Sequence, residues 1–90
     1  MGRWTVKIKK KAEKSSKKLS KKINDLLAAL IKEIEIAGPV RGNWSNYSKL
    51  GKGKHHCHLD RKHVACWEET EKGITVEVYY VGSRENAPYD

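Results

Sequence analysis

The chain has 90 residues, with 19 basic side chains against 11 acidic and no phenylalanine. A chain of that length makes one domain, residues 1–90, and buries only about 60–65% of its unfolded surface, so its core is one layer of helix on one sheet. The longest apolar run, Leu26 to Ile31, has six residues, far short of the ~20 that cross a bilayer.

The charge is unevenly spread. Residues 1–37 carry eleven Lys or Arg against four acids, whereas residues 38–90 are nearly balanced, eight against seven. A basic half points to a polyanionic partner, nucleic acid above all. The plain alternative is a solvated helical face that keeps the protein soluble. The opening "MGRWTVKIKKKAEK" has charge but no apolar stretch after it, unlike a secretion signal. The expectation is therefore a cytoplasmic chain whose two cysteines stay reduced.

"RWTVKI" alternates, with Trp4, Val6 and Ile8 on one side of a short strand. The lysine-rich segment Lys9 to Ser20 reads as a polar helix. Ile23, Leu26, Leu27, Leu30, Ile31 and Ile34 then recur at three- and four-residue spacing, which predicts an amphipathic helix. Ser20 suits its N-cap, and Gly38-Pro39 its end. The two helices follow each other closely, as in an αα-hairpin. After Pro39 the texture becomes that of strands and turns: a short strand near Trp44–Leu50, then His55–Leu59, His63–Glu69 and Ile74–Val81. The last should set Ile74, Val76, Val78 and Tyr80 on one face, with its hairpin turn at Glu71-Lys72-Gly73. The predicted fold is α+β: an N-terminal strand, then a helix hairpin packed on a four-stranded antiparallel sheet.

"KGKHHCHLDRKHVACW" holds all four histidines and both cysteines. Alternation assigns Cys57, Leu59, Val64 and Cys66 to the helix-facing side. A two-residue turn, Arg61-Lys62, would set Cys57 opposite Cys66 and Leu59 opposite Val64. His56, His58 and His63 would then share the outer face beside Trp67. Cysteines and histidines on opposite faces cannot converge on one ion, and paired zinc-ligand spacing is absent, so no metal is expected. The cysteines read as small buried hydrophobes. Three histidines on one exposed face concentrate groups that titrate near neutral pH; the bland reading is a polar strand facing solvent.

With the helix pair, the sheet and the tail "VYYVGSRENAPYD", the chain resembles the RelE/ParE toxin superfamily of bacterial toxin–antitoxin systems, from about Trp4 to Tyr89. The resemblance rests on the order of elements, the hairpin, the late strand with Val81-Gly82-Ser83-Arg84-Glu85, and the basic "KIKKKAEK" opening. It implies a RelE-like endoribonuclease that cuts mRNA, without cofactor or metal, and an antitoxin partner. By position, the lysine-x-lysine of the RelE branch falls on His56 and His58, its strand arginine on His63, its glycine-x-arginine turn on Arg84 and its C-terminal tyrosine near Tyr89. Three basic positions are thus histidine here. Lys49, Lys52, Lys54, Arg61 and Lys62 complete the set expected to meet RNA. Cutting through the ribose 2′-OH needs a base, an acid and positive charge at the phosphate, which imidazoles and an arginine supply. Trp44, Tyr47, Trp67 and Tyr79 are candidates to stack on bases, against the simpler role of packing. Two further readings stay open: inhibition of a protein target such as gyrase, as in the ParE branch, and a nucleic-acid-binding relative that has lost its chemistry.

Overall fold

A computed structural model describes residues 3–70 and 73–88. The elements run β1 (Thr5–Ile8), α1 (Lys10–Lys17), α2 (Lys21–Ala37), β2 (Ser48–Gly51), β3 (Lys54–His58), β4 (His63–Glu69), β5 (Thr75–Ser83) and a 3₁₀ turn, Arg84–Asn86. The strands form one five-stranded sheet in the order β1-β5-β4-β3-β2. Strands β2 to β5 are the expected antiparallel set, and β1 joins them by pairing parallel with β5. The fold class matches the prediction; the sheet is mixed because the first strand completes it.

Helix α2 starts and stops where its sequence says. The Ser20 hydroxyl accepts the backbone N–H of Ile23, satisfying one of the donors a helix start leaves open. Gly38 ends it with φ 96°. A Cβ there would meet the Trp4 indole at 3.0 Å, so glycine is needed both for the turn and for the close approach of β1. The helices are joined by Lys18 to Ser20, where the Asn24 amide donates to the carbonyls of Ser16, Leu19 and Ser20.

The core lies between the helices and one sheet face. Ala12, Ile23, Leu27, Leu30 and Ile34 pack on Cys57, Leu59, Ala65, Trp67, Val76, Val78 and Val81. The Trp67 indole, fully buried, donates to the Pro39 carbonyl at 2.9 Å. Among the described residues no helix is long and apolar enough to cross a membrane.

The β3–β4 register differs from the predicted one by a single residue. Cys57 lies opposite Ala65, and Cys66 lies opposite His56. The cause is the turn. Leu59 N–H donates to the His63 carbonyl, which leaves three residues, Asp60-Arg61-Lys62, in the loop. Asp60 Oδ1 accepts the backbone N–H of Lys62 at 2.8 Å and of His63 at 2.7 Å, which stabilises the longer turn. A slip of one residue turns every side chain of the partner strand to the other face. Cys66 and Val64 therefore lie on the face away from the helices, and Trp67 points into the core instead of beside the histidines.

A bulge does the same to β5. Trp67 pairs with Val78 and Cys66 with Tyr80, so Tyr79 is the extra residue. Val81, not Tyr80, continues the core stripe of Val76 and Val78. Glu71 and Lys72 of the expected β4–β5 turn lie outside the described residues.

Candidate active site

Strands β3, β4 and β5 are neighbours, so the end of β5 lies across β4 from the end of β3. On the face away from the helices, β3 presents His56 and His58, whose rings stand 5.9 Å apart. His58 is held through its backbone N–H, which donates to the Ser45 carbonyl at 2.8 Å. His56 is largely buried, and its Nδ1 meets the Ser48 hydroxyl at 3.1 Å. Burial holds the His56 imidazole below its usual pKa; the Ser48 contact opposes this and His58 adds to it.

His63 does not join them as parity predicted. It pairs with Ser83 and bonds with Leu59, which gives it the parity of Ala65 and Trp67. At the strand end its Nδ1 lies 3.0 Å from Asp60 Oδ1. Arg84 begins the 3₁₀ turn after β5, its N–H donating to the Lys62 carbonyl at 2.9 Å. That bond pins the turn carrying Arg84 to the β3–β4 loop.

Two concavities meet at Arg84. One, of about 440 Å³, is lined by His58, Asp60, Arg61 and Arg84, with Ser45 and Asn46 from the loop before β2. The other, of about 360 Å³, is lined by Lys62, His63, Ser83, Arg84 and Glu85. Arg84 is thus brought together with His58 on one side and His63 on the other. His56, beside His58, lines neither of the two. Tyr89 lies outside the described residues.

The basic residues divide likewise. Arg61 lines the first concavity and Lys62 the second. Lys49 and Lys52 are exposed on β2 and the turn after it. Lys54 sits over the Tyr79 ring, 5.9 Å from its centroid.

The aromatic residues are engaged in packing. Trp44 donates its indole N–H to Glu33 at 2.9 Å. Tyr47 and Trp67 stack with His55. Tyr79 bonds with the Cys66 thiol, and burial raises the pKa of its phenol. Both cysteines are free and buried, and burial pushes each thiol up to about 12. The register also brings Cys66 to the histidine face, so cysteine and histidine are not separated by the sheet as expected. Even so, no three His, Cys, Asp or Glu side chains converge on a metal position among the described residues.

Sequence reasoning missed four participants. Asp60 organises the turn and holds His63; its signal was an aspartate two residues before a turn amide, an Asx-turn pattern. Ser45 and Asn46 arrive from a loop with no motif. Tyr80 lies on the site face, its hydroxyl donating to the Ser83 carbonyl at 2.6 Å. Gly82 makes room for it, since a Cβ there would stand 2.9 Å from that hydroxyl.

No protein-family model matches the chain, and no curated protein does. Solved structures do. The YoeB dimer from Staphylococcus aureus superposes with a TM-score of 0.74 at 16% identity, covering 92% of this chain and 99% of that one. The archaeal RelE–RelB complex from Pyrococcus horikoshii OT3 gives a TM-score of 0.74 at 17% identity, covering 93% and 98%. The DinJ–YafQ toxin–antitoxin complex of E. coli gives 0.74 at 12%, covering 92% and 94%. The chain has the fold of the RelE, YoeB and YafQ toxins over nearly its whole length.

Proposed function

We propose that this chain is the toxin of a type II toxin–antitoxin system, an endoribonuclease that cuts mRNA by metal-independent acid–base chemistry and so inhibits translation. The observation that carries the reading is the position of Arg84, which lines one concavity with His58 and the adjoining one with His63. A scissile phosphate bound by a guanidinium fork would have an imidazole on either side, which is the arrangement that in-line attack by a 2′-OH requires. Arg61 and Lys62 flank the phosphate, and Lys49, Lys52 and Lys54 extend the positive border along β2 and β3. His56, neutral through burial, neighbours His58, and Tyr89 is the remaining catalytic residue that the resemblance implies. The shared fold with RelE, YoeB and YafQ agrees with this activity.

The partner is a small acidic antitoxin. Two of the similar structures are complexes in which the toxin is bound to RelB or DinJ. Here the formal net charge of +8 suits an acidic segment that orders on binding.

The test is induced expression in bacteria with primer extension on cellular mRNA. Growth arrest with new 5′ ends inside coding regions is expected. Arrest with intact mRNA and gyrase-linked DNA breaks would favour a ParE-like inhibitor instead.

A further inference from the structure

We propose that His63, positioned by Asp60, is the general base of the cut and His58 its general acid. This rests on the ribonuclease reading and assigns roles within it. The assignment comes from the unequal surroundings of the two imidazoles. His63 Nδ1 lies 3.0 Å from Asp60 Oδ1. The same oxygen accepts the backbone N–H of Lys62 and of His63. Backbone donors and the His63 contact hold the Asp60 carboxyl below the usual carboxylate range, against a burial effect that raises it. Asp60 is therefore an ionised acceptor, and Nδ1 must carry the ring proton. That leaves the lone pair on Nε2, the form a base needs. The carboxylate also stabilises the imidazolium that forms when Nε2 takes a proton, as in any carboxylate–imidazole pair.

His58 has different company. Its ring neighbour is another imidazole, His56, which burial keeps neutral. His58 shares its concavity with Arg84 and the loop residues Ser45 and Asn46. With Arg84 on the phosphate, the two histidines act from opposite sides. The O2′–H bond breaks and its proton passes to Nε2 of His63. O2′ bonds to phosphorus, the P–O5′ bond breaks, and the departing O5′ takes a proton from the His58 imidazolium. The products are a 2′,3′-cyclic phosphate and a 5′-hydroxyl end. Exchange with water returns both rings to their starting forms.

A synthetic RNA with sulfur in place of the O5′ leaving atom at one cut position separates the two roles, because a thiolate leaves without being protonated. It is assayed free and in programmed ribosomes. His58→Ala should lose ~10²–10⁴-fold on ordinary RNA and recover to near the wild-type rate on the sulfur RNA. His63→Ala should stay slow on both. Asp60→Asn keeps an oxygen for the two turn amides but lacks the charge, and should be at least ~10-fold slower on both. Nitrogen-15 spectra of the wild-type imidazoles should show the proton of neutral His63 on Nδ1. Recovery of His63→Ala instead of His58→Ala, or of neither while wild type cuts, overturns the assignment. So does a His63 proton found on Nε2. A wild-type protein that cuts neither RNA brings down the ribonuclease reading itself.

Discussion

The Nε2 atom of His55 lies 2.8 Å from a carboxylate oxygen of Glu69, fourteen residues further along the chain. The other ring nitrogen lies 2.7 Å from the Tyr47 hydroxyl, and the ring stacks on Trp67 at 5.8 Å. This side chain is 1% exposed, so each of its polar atoms depends on a protein partner. It joins β3, β4 and the loop before β2 at one point. His55→Ala is expected to destabilise the domain by about 3 kcal/mol, from the cavity and the stranded partners together. Tyr47→Phe, which removes one bond, should cost about 1 kcal/mol. Urea unfolding followed by tryptophan fluorescence measures both. A loss below about 0.5 kcal/mol for His55→Ala would mean the network is not structural.

Stability should fall on mild acidification, and His56 is one source. Its folded-state pKa is depressed by burial, while the unfolded value is near 6.5. Above that pH the ring is neutral in both states and adds no pH dependence. Below it, the unfolded chain binds a proton that the folded chain resists, so folding becomes less favourable. Glu33 and Asp60 are also depressed, but as carboxylates they lose their contribution only below about pH 4. Between pH 7.5 and 5 the urea midpoint should drop, and His56→Asn should make the drop shallower.

Glu33 should matter to the site without being near its chemistry. Its Oε1 accepts from Asn43 at 2.9 Å, Trp44 at 2.9 Å and Arg41 at 3.3 Å. These bonds tie α2 to the loop whose Ser45 holds the His58 backbone. In Glu33→Ala, amide hydrogen exchange is expected to rise across Trp44–Ser48 and at His58, with a stability loss of about 1–2 kcal/mol. Unchanged exchange at His58 would break the proposed connection.

Gly82 and Tyr80 should behave as a coupled pair. In Gly82→Ala the new methyl meets the Tyr80 hydroxyl, which must leave the Ser83 carbonyl. Tyr80→Phe removes that hydroxyl beforehand. The double variant should therefore be less destabilised than the sum of the singles by about 1 kcal/mol, as contacting residues generally are. Strict additivity would show that the glycine serves another purpose.

The two thiols should be inert while the chain is folded. Burial raises both pKa values to about 12, which leaves almost no reactive thiolate at neutral pH. Labelling with a thiol reagent is expected only after urea is added. Replacing both with alanine should cost roughly 1–2 kcal/mol and leave growth arrest intact. Fast labelling of Cys66 in the native protein would mean its face opens.

The elements of this fold were written plainly in the chain; the pairing of its central strands was not. The apolar stripe of α2, its Ser20 cap and its Gly38 stop are local signals, and each formed as read. Strand pairing is decided by turns, and there a single side chain counts. Asp60 lengthens the β3–β4 turn to three residues, and the extra residue at Tyr79 resets the end of β5. The longer turn leaves the alternation within each strand unchanged, so alternation cannot reveal it; the bulge breaks the alternation of β5 at Tyr79, where two tyrosines in a row hide the break. His56 and His58 stayed together because they share one strand, while His63, one turn away, went to the other side. Arg84 was legible because it depends only on strand order.

The pairing of β1 with β5 sets a schedule for the chain. Strand β1 is made before every other strand of the sheet, and among the described residues its neighbour there is β5, the last of the five to be made. Until Thr75–Val78 are available, β1 has no ladder to join, and β4 lacks one of its two edges. Contacts so distant in sequence form late and slowly. The sheet of each new copy is therefore completed only in a late step, after Thr75–Ser83 has been made. A partner that favours the finished surface has nothing to hold before that step. One that recognises the exposed β1 edge or the bare α2 stripe would stop the chain short of it.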